Sequence, residues 1–164
     1  MKRIVILGCY GAGKSTFAKK LSRVVNIPLY HIDLFRYDSD GNMVPKEELS
    51  KKVDNIINED IWIIDGNFEK ELEKRLVKCD TIFLLDIPIK DCIEGIKSRI
   101  GKKHSDIPFI EKEFTDKLRN RVIEFPAKKM PLIRNLMSKY ENEKSIIIFN
   151  SRKEIDDYLK NIKA

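Results

Sequence analysis

Five short, almost unbroken apolar runs punctuate the chain: Ile4 to Leu7, Leu29 to Ile32, Ile61 to Ile64, Thr81 to Leu85 and Ile146 to Phe149. Runs of this length without polar alternation are how strands covered on both faces read. Between them the apolar residues recur at helical spacing: Phe17, Leu21, Val24 and Val25, then Leu49, Val53, Ile56 and Ile57. Leu72 with Leu76 marks a third such stripe, and Ile89, Ile93, Ile96 and Ile100 a fourth. Buried strands alternating with amphipathic helices need crossover connections, so the pattern predicts an α/β fold, a parallel sheet flanked by helices.

Residues 101–140 break this rhythm with two helical patterns and no strand. Phe109, Ile110, Phe114, Leu118, Val122 and Phe125 predict one helix, and Met130, Ile133, Leu136, Met137 and Tyr140 a second. Pro126 should interrupt the path between them, because the residue before a proline is pushed out of helical geometry. Such an insertion is a candidate lid, the alternative being a helical hairpin that only packs on the sheet. Ser151, with Glu154 three residues later, predicts a capping box ahead of Ile155, Tyr158, Leu159 and Ile162, and hence a docked final helix. With no repeat or flexible linker, residues 1–164 read as one domain, a size that one core commonly serves.

Apolar residues make up 42% and charged residues 35% of the chain, which fits a folded protein with a heavily charged surface. The formal charge of +6 attracts anions, but the bases interleave with acids, as in Lys46-Glu47-Glu48 and Glu73-Lys74-Arg75. That is the pattern of a solvated surface, so nucleic acid is a less favoured partner than a nucleotide or small phosphorylated molecule. Cys9, Cys79 and Cys92 have neither disulfide-framework nor zinc spacing, which points to a reducing cytoplasm. Met1-Lys2-Arg3 before Ile4 to Cys9 imitates a lipoprotein signal, but its apolar stretch falls short of the roughly 7 to 15 residues needed. No window approaches the roughly 20 apolar residues of a membrane span, and a monomer or weak homodimer is expected.

Gly8-Cys9-Tyr10-Gly11-Ala12-Gly13-Lys14-Ser15 matches G-x-x-x-x-G-K-[ST] directly after the first strand, where it opens the first helix. The glycines let the backbone turn around an anion, and successive N–H groups then point at the phosphates. Gly8, Gly11, Ala12, Gly13, Lys14, Ser15 and Thr16 are therefore candidate nucleotide-binding residues. Lys14 should neutralise the β- and γ-phosphates, and the Ser15 hydroxyl should ligate Mg²⁺. Cys9, near a helix N-terminus that could lower its pKa, reads as a tolerated small residue.

In an open parallel sheet, ligands collect beyond the C-terminal strand ends. Asp65, after Ile61 to Ile64, is a second candidate anchor for Mg²⁺, or else a cap for a helix starting near Phe68. Asp33, after Leu29 to Ile32, is a candidate general base for an acceptor hydroxyl, or else a loop cap. Asp86 reads as a helix cap, and His31, alternating with apolar residues, as structural. Arg99, before the insertion, is a candidate catalytic residue, with Arg119 and Arg121 inside it as further guanidinium candidates, Arg119 at the nucleotide. Arg75 either faces the acceptor or forms an ordinary exposed ion pair.

With these residues in place, the chain resembles the adenylate kinase-like P-loop kinases, and more closely the group labelled DNA topology modulation proteins. The resemblance rests on the phosphate loop, Pro28-Leu29-Tyr30-His31-Ile32-Asp33, Trp62-Ile63-Ile64-Asp65-Gly66-Asn67, Asp80 to Asp86, and Ser151-Arg152-Lys153-Glu154. It implies a three-layer P-loop NTPase fold with strand order 2-3-1-4-5. It also implies an ATP- and Mg²⁺-dependent transfer of the γ-phosphoryl group to a small-molecule or nucleotide acceptor. The alternative it carries is an ATP-binding regulator related to DNA topology, with slow or no turnover. Lys70 and Gly95 stand where this group tends to have arginines, and a lysine is a point charge rather than a bidentate clamp. No Asn/Thr-Lys-x-Asp segment for reading guanine is present.

Overall fold

The structure, a computed structural model, describes residues 1–38 and 42–162. Arg3–Gly8 (β1), Leu29–His31 (β2), Trp62–Asp65 (β3), Thr81–Leu85 (β4) and Ser145–Phe149 (β5) form one sheet in the order β2-β3-β1-β4-β5. Every pairing is parallel. The central strand β1 is the most deeply covered, with Ile4, Val5, Ile6 and Leu7 all inaccessible to solvent. Ile6 lies opposite Asp65, and His31 lies opposite the same Asp65 from the other side. The register thus sets a carboxylate and an imidazole side by side at the C-terminal edge, where β1 gives way to the phosphate loop.

The helices are Lys14–Val25 (α1), Lys46–Ile57 (α2), Leu72–Lys78 (α3), Ile89–Lys97 (α4), Asp116–Ile123 (α5), Phe125–Lys128 (α6), Met130–Ser138 (α7) and Arg152–Asn161 (α8). They complete a three-layer α/β fold, with α1 packed beside α8 and α3 beside α7. An aromatic cluster fixes the first pair. The Phe17 ring on α1 stands edge-on to Phe83 at 5.0 Å and to Phe149 at 5.5 Å, and Tyr158 on α8 approaches both strand rings at 5.4 Å. Such pairs add about 0.5–1.5 kcal/mol each beyond area burial, so α1 and the loop it carries sit on a rigid base.

Local chemistry explains the element ends. α1 stops at Asn26, the one described non-glycine residue with positive φ (54°), while the Ser22 hydroxyl donates to Ile27 O at 2.6 Å. At α8 the Ser151 side chain accepts from Glu154 N, as expected of a capping box. The Glu154 carboxylate, however, accepts from Asn150 N at 2.7 Å, one residue further back than the reciprocal bond requires.

Four expectations need correction. The pattern from Phe109 to Phe125 is not one helix: α5 starts at Asp116, because Thr115 caps it by accepting from Leu118 N at 3.2 Å. Residues 102–115 before it are irregular. Pro126 sits in the first turn of α6, where a missing N–H costs nothing, and the break falls at Glu124. β5 is an edge strand with Ile148 39% exposed, so its apolar run is not covered on both faces. Asp86 does not cap α4, whose N-cap is Pro88; it pairs with Arg134 of α7.

Candidate active site

The phosphate loop turns between β1 and α1 on glycines in the left-handed region. Gly13 has φ +95°, and a Cβ added to it would meet nothing within 4 Å, so backbone conformation alone demands glycine there. Gly11 is constrained twice, by φ +76° and by α4, since a Cβ would stand 2.0 Å from Cys92 O. The Lys14 ammonium folds back on the loop and donates to Cys9 O at 2.9 Å. The Cys9 thiol is held well above its ordinary pKa by its contact with Cys92 and by burial, which removes it as a nucleophile.

At the helix end of the loop, polar groups converge on one hydroxyl. Ser15 Oγ lies 2.7 Å from Asp65 Oδ2 and 2.8 Å from Asp106 Oδ2. Asp65 Oδ2 is also 2.8 Å from His31 Nδ1, while Asp65 Oδ1 is buried without a partner among the described residues. Arg99, just past the end of α4, donates to both oxygens of Asp106 at 3.0 and 3.1 Å. Burial would raise the Asp106 pKa, but Arg99 and the Ser15 hydroxyl outweigh it and hold the carboxyl below its usual range. Two acidic groups thus face one hydroxyl proton, an arrangement a cation would complete.

Behind the loop, the turn after β3 is tied down. The Asn67 side chain accepts from Gly8 N at 3.1 Å and donates to Gly8 O at 2.8 Å, pinning the start of the phosphate loop. Arg75, fully buried on α3, donates to Gly66 O at 2.7 Å and to Asn67 O and Phe68 O at 3.0 Å each. Burial lowers its pKa to about 10 despite Asp33, Glu71 and Asp65 nearby, so it is still charged at neutral pH. Neither role expected for Arg75 fits; it is a tether for backbone carbonyls.

Two clefts open at this edge and meet at Tyr10, Lys14 and Asp33 on one side and Ile107, Glu111 and Leu118 on the other. The first, about 330 Å³, is lined by Gly11, Gly13, Lys14, Ser15, Thr16, Asp33, Asp65, Arg99, Asp106 and Arg152 among others. Of the expected nucleotide residues, Gly8 and Ala12 lie behind it: Gly8 N is bound to Asn67, and Ala12, buried, donates to Cys9 O. Arg119 is exposed on α5 and lines neither cleft, whereas Arg121 lines the second. Asp33 makes no capping bond to the turn that follows it; its carboxylate lies 3.6 Å from Arg36. Asp65 caps nothing either, being committed to Ser15 and His31.

The second cleft, about 530 Å³, has walls of Tyr37, Phe68, Phe109 and Phe125 and a cationic lining. Arg36, Lys128 and Lys129 are paired with Asp33, Glu124 and Glu69. Among the described residues, Lys46, Lys70 and Arg121 form no ion pair with a carboxylate. Contact with Lys46 lowers the Lys70 pKa, as expected of two ammonium groups crowded together.

Asp106, Asn67, Arg152 and the His31–Asp65 pairing were not assigned from sequence. Asn67 and Arg152 lie in the segments that carry the resemblance, and Asp106 lies in an irregular stretch with no motif. Gly95 shows why an arginine is absent there: a Cβ would sit 2.2 Å from Gly11 O and 2.8 Å from Arg152 Nη2. The guanidinium of Arg152, donating to Asp91 O at 2.8 Å, occupies that space from α8 instead.

No protein-family model matches the chain. Over 133 residues it is 32% identical to an adenylate kinase of Thermosipho africanus, covering 73% of this chain and 59% of that protein. Over 88 residues it is 38% identical to an adenylate kinase of Thermosipho melanesiensis, covering 51% of this chain and 38% of that one. The chain thus spans less than two thirds of the length of these relatives. Shikimate kinase from Bacteroides thetaiotaomicron superposes with a TM-score of 0.60 at 18% identity, over 97% of this chain and 94% of that one. The fold is accordingly the three-layer P-loop fold found in small kinases.

Proposed function

We propose that the protein is an ATP- and Mg²⁺-dependent kinase that transfers the γ-phosphoryl group to a small anionic acceptor. The observation that carries this reading is the pair of clefts meeting at Lys14 and Asp33. The first fits the nucleotide phosphates: Gly11, Gly13 and Lys14 of the loop line it together with Arg99 and Arg152. Ser15 and Asp65 would hold the metal ion. Among the described residues no group of three or more His, Cys, Asp or Glu is placed to hold a metal ion by itself, but magnesium is commonly held by one or two carboxylates plus substrate phosphates. The ion supplies charge neutralisation on the β- and γ-phosphates.

The second cleft is the acceptor site in this reading. Its Lys46, Lys70 and Arg121, in no ion pair among the described residues, favour an anion, and its aromatic walls favour an apolar or planar body. Asp33 at the junction would take the proton of an acceptor hydroxyl as its oxygen bonds to the γ-phosphorus and the bond to the β,γ-bridging oxygen breaks. Lys14 stabilises the charge on the leaving β-phosphate. Of residues 101–140, the irregular stretch 102–115 would serve as the lid over the junction, whereas α6 and α7 are a fixed part of the core through Phe125, Ile133 and Met137. A pure nucleotide-dependent regulator needs no acceptor chamber, and the second cleft favours the kinase over it. The test is a screen of phosphorylated and carboxylated alcohols and nucleoside monophosphates with ATP and Mg²⁺. ADP release above the acceptor-free rate is expected for an anionic member, and a flat panel contradicts the proposal.

A further inference from the structure

The Ser15 hydroxyl carries one proton, yet two buried carboxylates converge on it at 2.7 and 2.8 Å from different parts of the chain. Asp65, 4% exposed, comes from β3; Asp106, 7% exposed, comes from the irregular stretch between α4 and α5. Only one can receive that proton, and the second oxygen of Asp65 is buried with no partner among the described residues. Asp106 is not a loose surface acid: Arg99 grips both of its oxygens and so aims it into the cleft. Resting on the ATP-binding reading, we propose that Asp106 is a ligand of the nucleotide-bound magnesium, and that this contact couples closure of residues 102–115 to the metal.

The phosphate-loop motif supplies Ser15, and a strand-end acid is an ordinary second anchor; Asp106 belongs to neither. Its position makes the ion bridge three separate pieces of backbone: the loop, β3 and the segment that crosses the cleft. The charges give the coupling its direction. Metal-free ATP entering the first cleft meets the carboxylates of both Asp65 and Asp106, a repulsion that a divalent cation converts into attraction. The metal should therefore strengthen nucleotide binding far more here than a single carboxylate would allow, and order residues 102–115 as it does so.

Calorimetry with a non-hydrolysable ATP analogue, in EDTA and in excess Mg²⁺, measures this coupling for the wild type and Asp106→Asn. The expected result is that Asp106→Asn binds the metal-free analogue as tightly as the wild type or more so. Its enhancement by Mg²⁺ should fall about tenfold or more, the scale of losses when metal-shell groups are removed. Hydrogen exchange should show residues 102–115 protected by the Mg²⁺ complex in the wild type only. An unchanged Mg²⁺ enhancement, or an equal loss of affinity in both buffers, overturns the proposal. A second measurement needs no variant: Fe²⁺ in place of Mg²⁺, with the analogue, ascorbate and peroxide, should cleave the wild-type chain near residues 15, 65 and 106. Absence of the cut at 106 overturns the proposal alone. No analogue binding by the wild type in either buffer overturns the ATP reading and this inference with it.

Discussion

Replacing Arg75 by methionine keeps most of the side-chain volume but removes a buried cation and its bonds to three successive carbonyls, those of Gly66, Asn67 and Phe68. The Gly66 oxygen lies in a fully buried bond, and leaving such a group unmatched costs about 1–3 kcal/mol. The other two bonds are partly buried, so water can replace them in part, for about 0.5–1 kcal/mol each. Relief from holding a charge where burial has already lowered its pKa to about 10 works in the opposite direction. The net expectation is a loss of about 2–4 kcal/mol, a large share of the 5–15 kcal/mol typical of a domain but not all of it. With a urea m-value near 2 kcal/mol/M, the unfolding midpoint should fall by about 1–2 M. The same turn carries Asn67, which clamps both backbone groups of Gly8, so nucleotide affinity should weaken as well, by about tenfold if 1.4 kcal/mol of preorganisation is lost. Urea unfolding and calorimetry on Arg75→Met read the two effects separately. A midpoint within about 0.3 M of the wild type would refute the tether. A lowered midpoint with unchanged affinity would show that Arg75 holds the fold but not the phosphate loop.

Lys14→Ala should barely move the melting curve, since among the described residues the Lys14 ammonium has just a bond to Cys9 O and a contact with the Tyr10 ring, while abolishing productive ATP binding by calorimetry; unchanged affinity would sink the nucleotide assignment. Asp80 tests the electrostatics of the sheet end. Burial would raise its pKa, but the Thr81 hydroxyl and the N–H groups of Arg3 and Lys2 outweigh that and hold it below the usual value. Because the folded pKa is the lower one, its stabilisation is complete above the unfolded pKa of about 3.9 and is lost as pH falls through the folded value. Asp80→Asn should therefore be less stable than the wild type at pH 6, with the gap closing toward pH 2. A gap independent of pH would refute the charge argument.

The strands, the helices that pack on them and the phosphate loop were legible because each is encoded locally, in runs such as Ile4 to Leu7 or the spacing of Gly8, Gly13 and Lys14. Asp65 was legible as a strand-end acid, since parallel topology places every such residue on the binding edge. Its neighbours were not. Whether Asp65 meets His31 depends on the register between β2 and β3, which no periodicity reveals. Asp106 reaches Ser15 from 91 residues away along an irregular path, and the bonds that aim it belong to Arg99. Arg75 sits among charged residues in sequence, where it reads as facing the acceptor or as an exposed ion pair; the folded turn of Gly66 to Phe68 gives its guanidinium a buried use instead. Arg119 and Arg121 look equivalent on paper, and a two-residue rotation about α5 turns only Arg121 toward a cleft.

The central claim is group transfer at the junction of the two clefts. Following the label of [γ-³²P]ATP through the anionic acceptor panel, with wild type and Asp33→Asn, tests it most directly. Label on an acceptor, in step with ADP formation, is expected for the wild type, and a strong loss of that transfer with ATP affinity retained for Asp33→Asn. Label recovered only as inorganic phosphate with every acceptor, or transfer undiminished in Asp33→Asn, would contradict it.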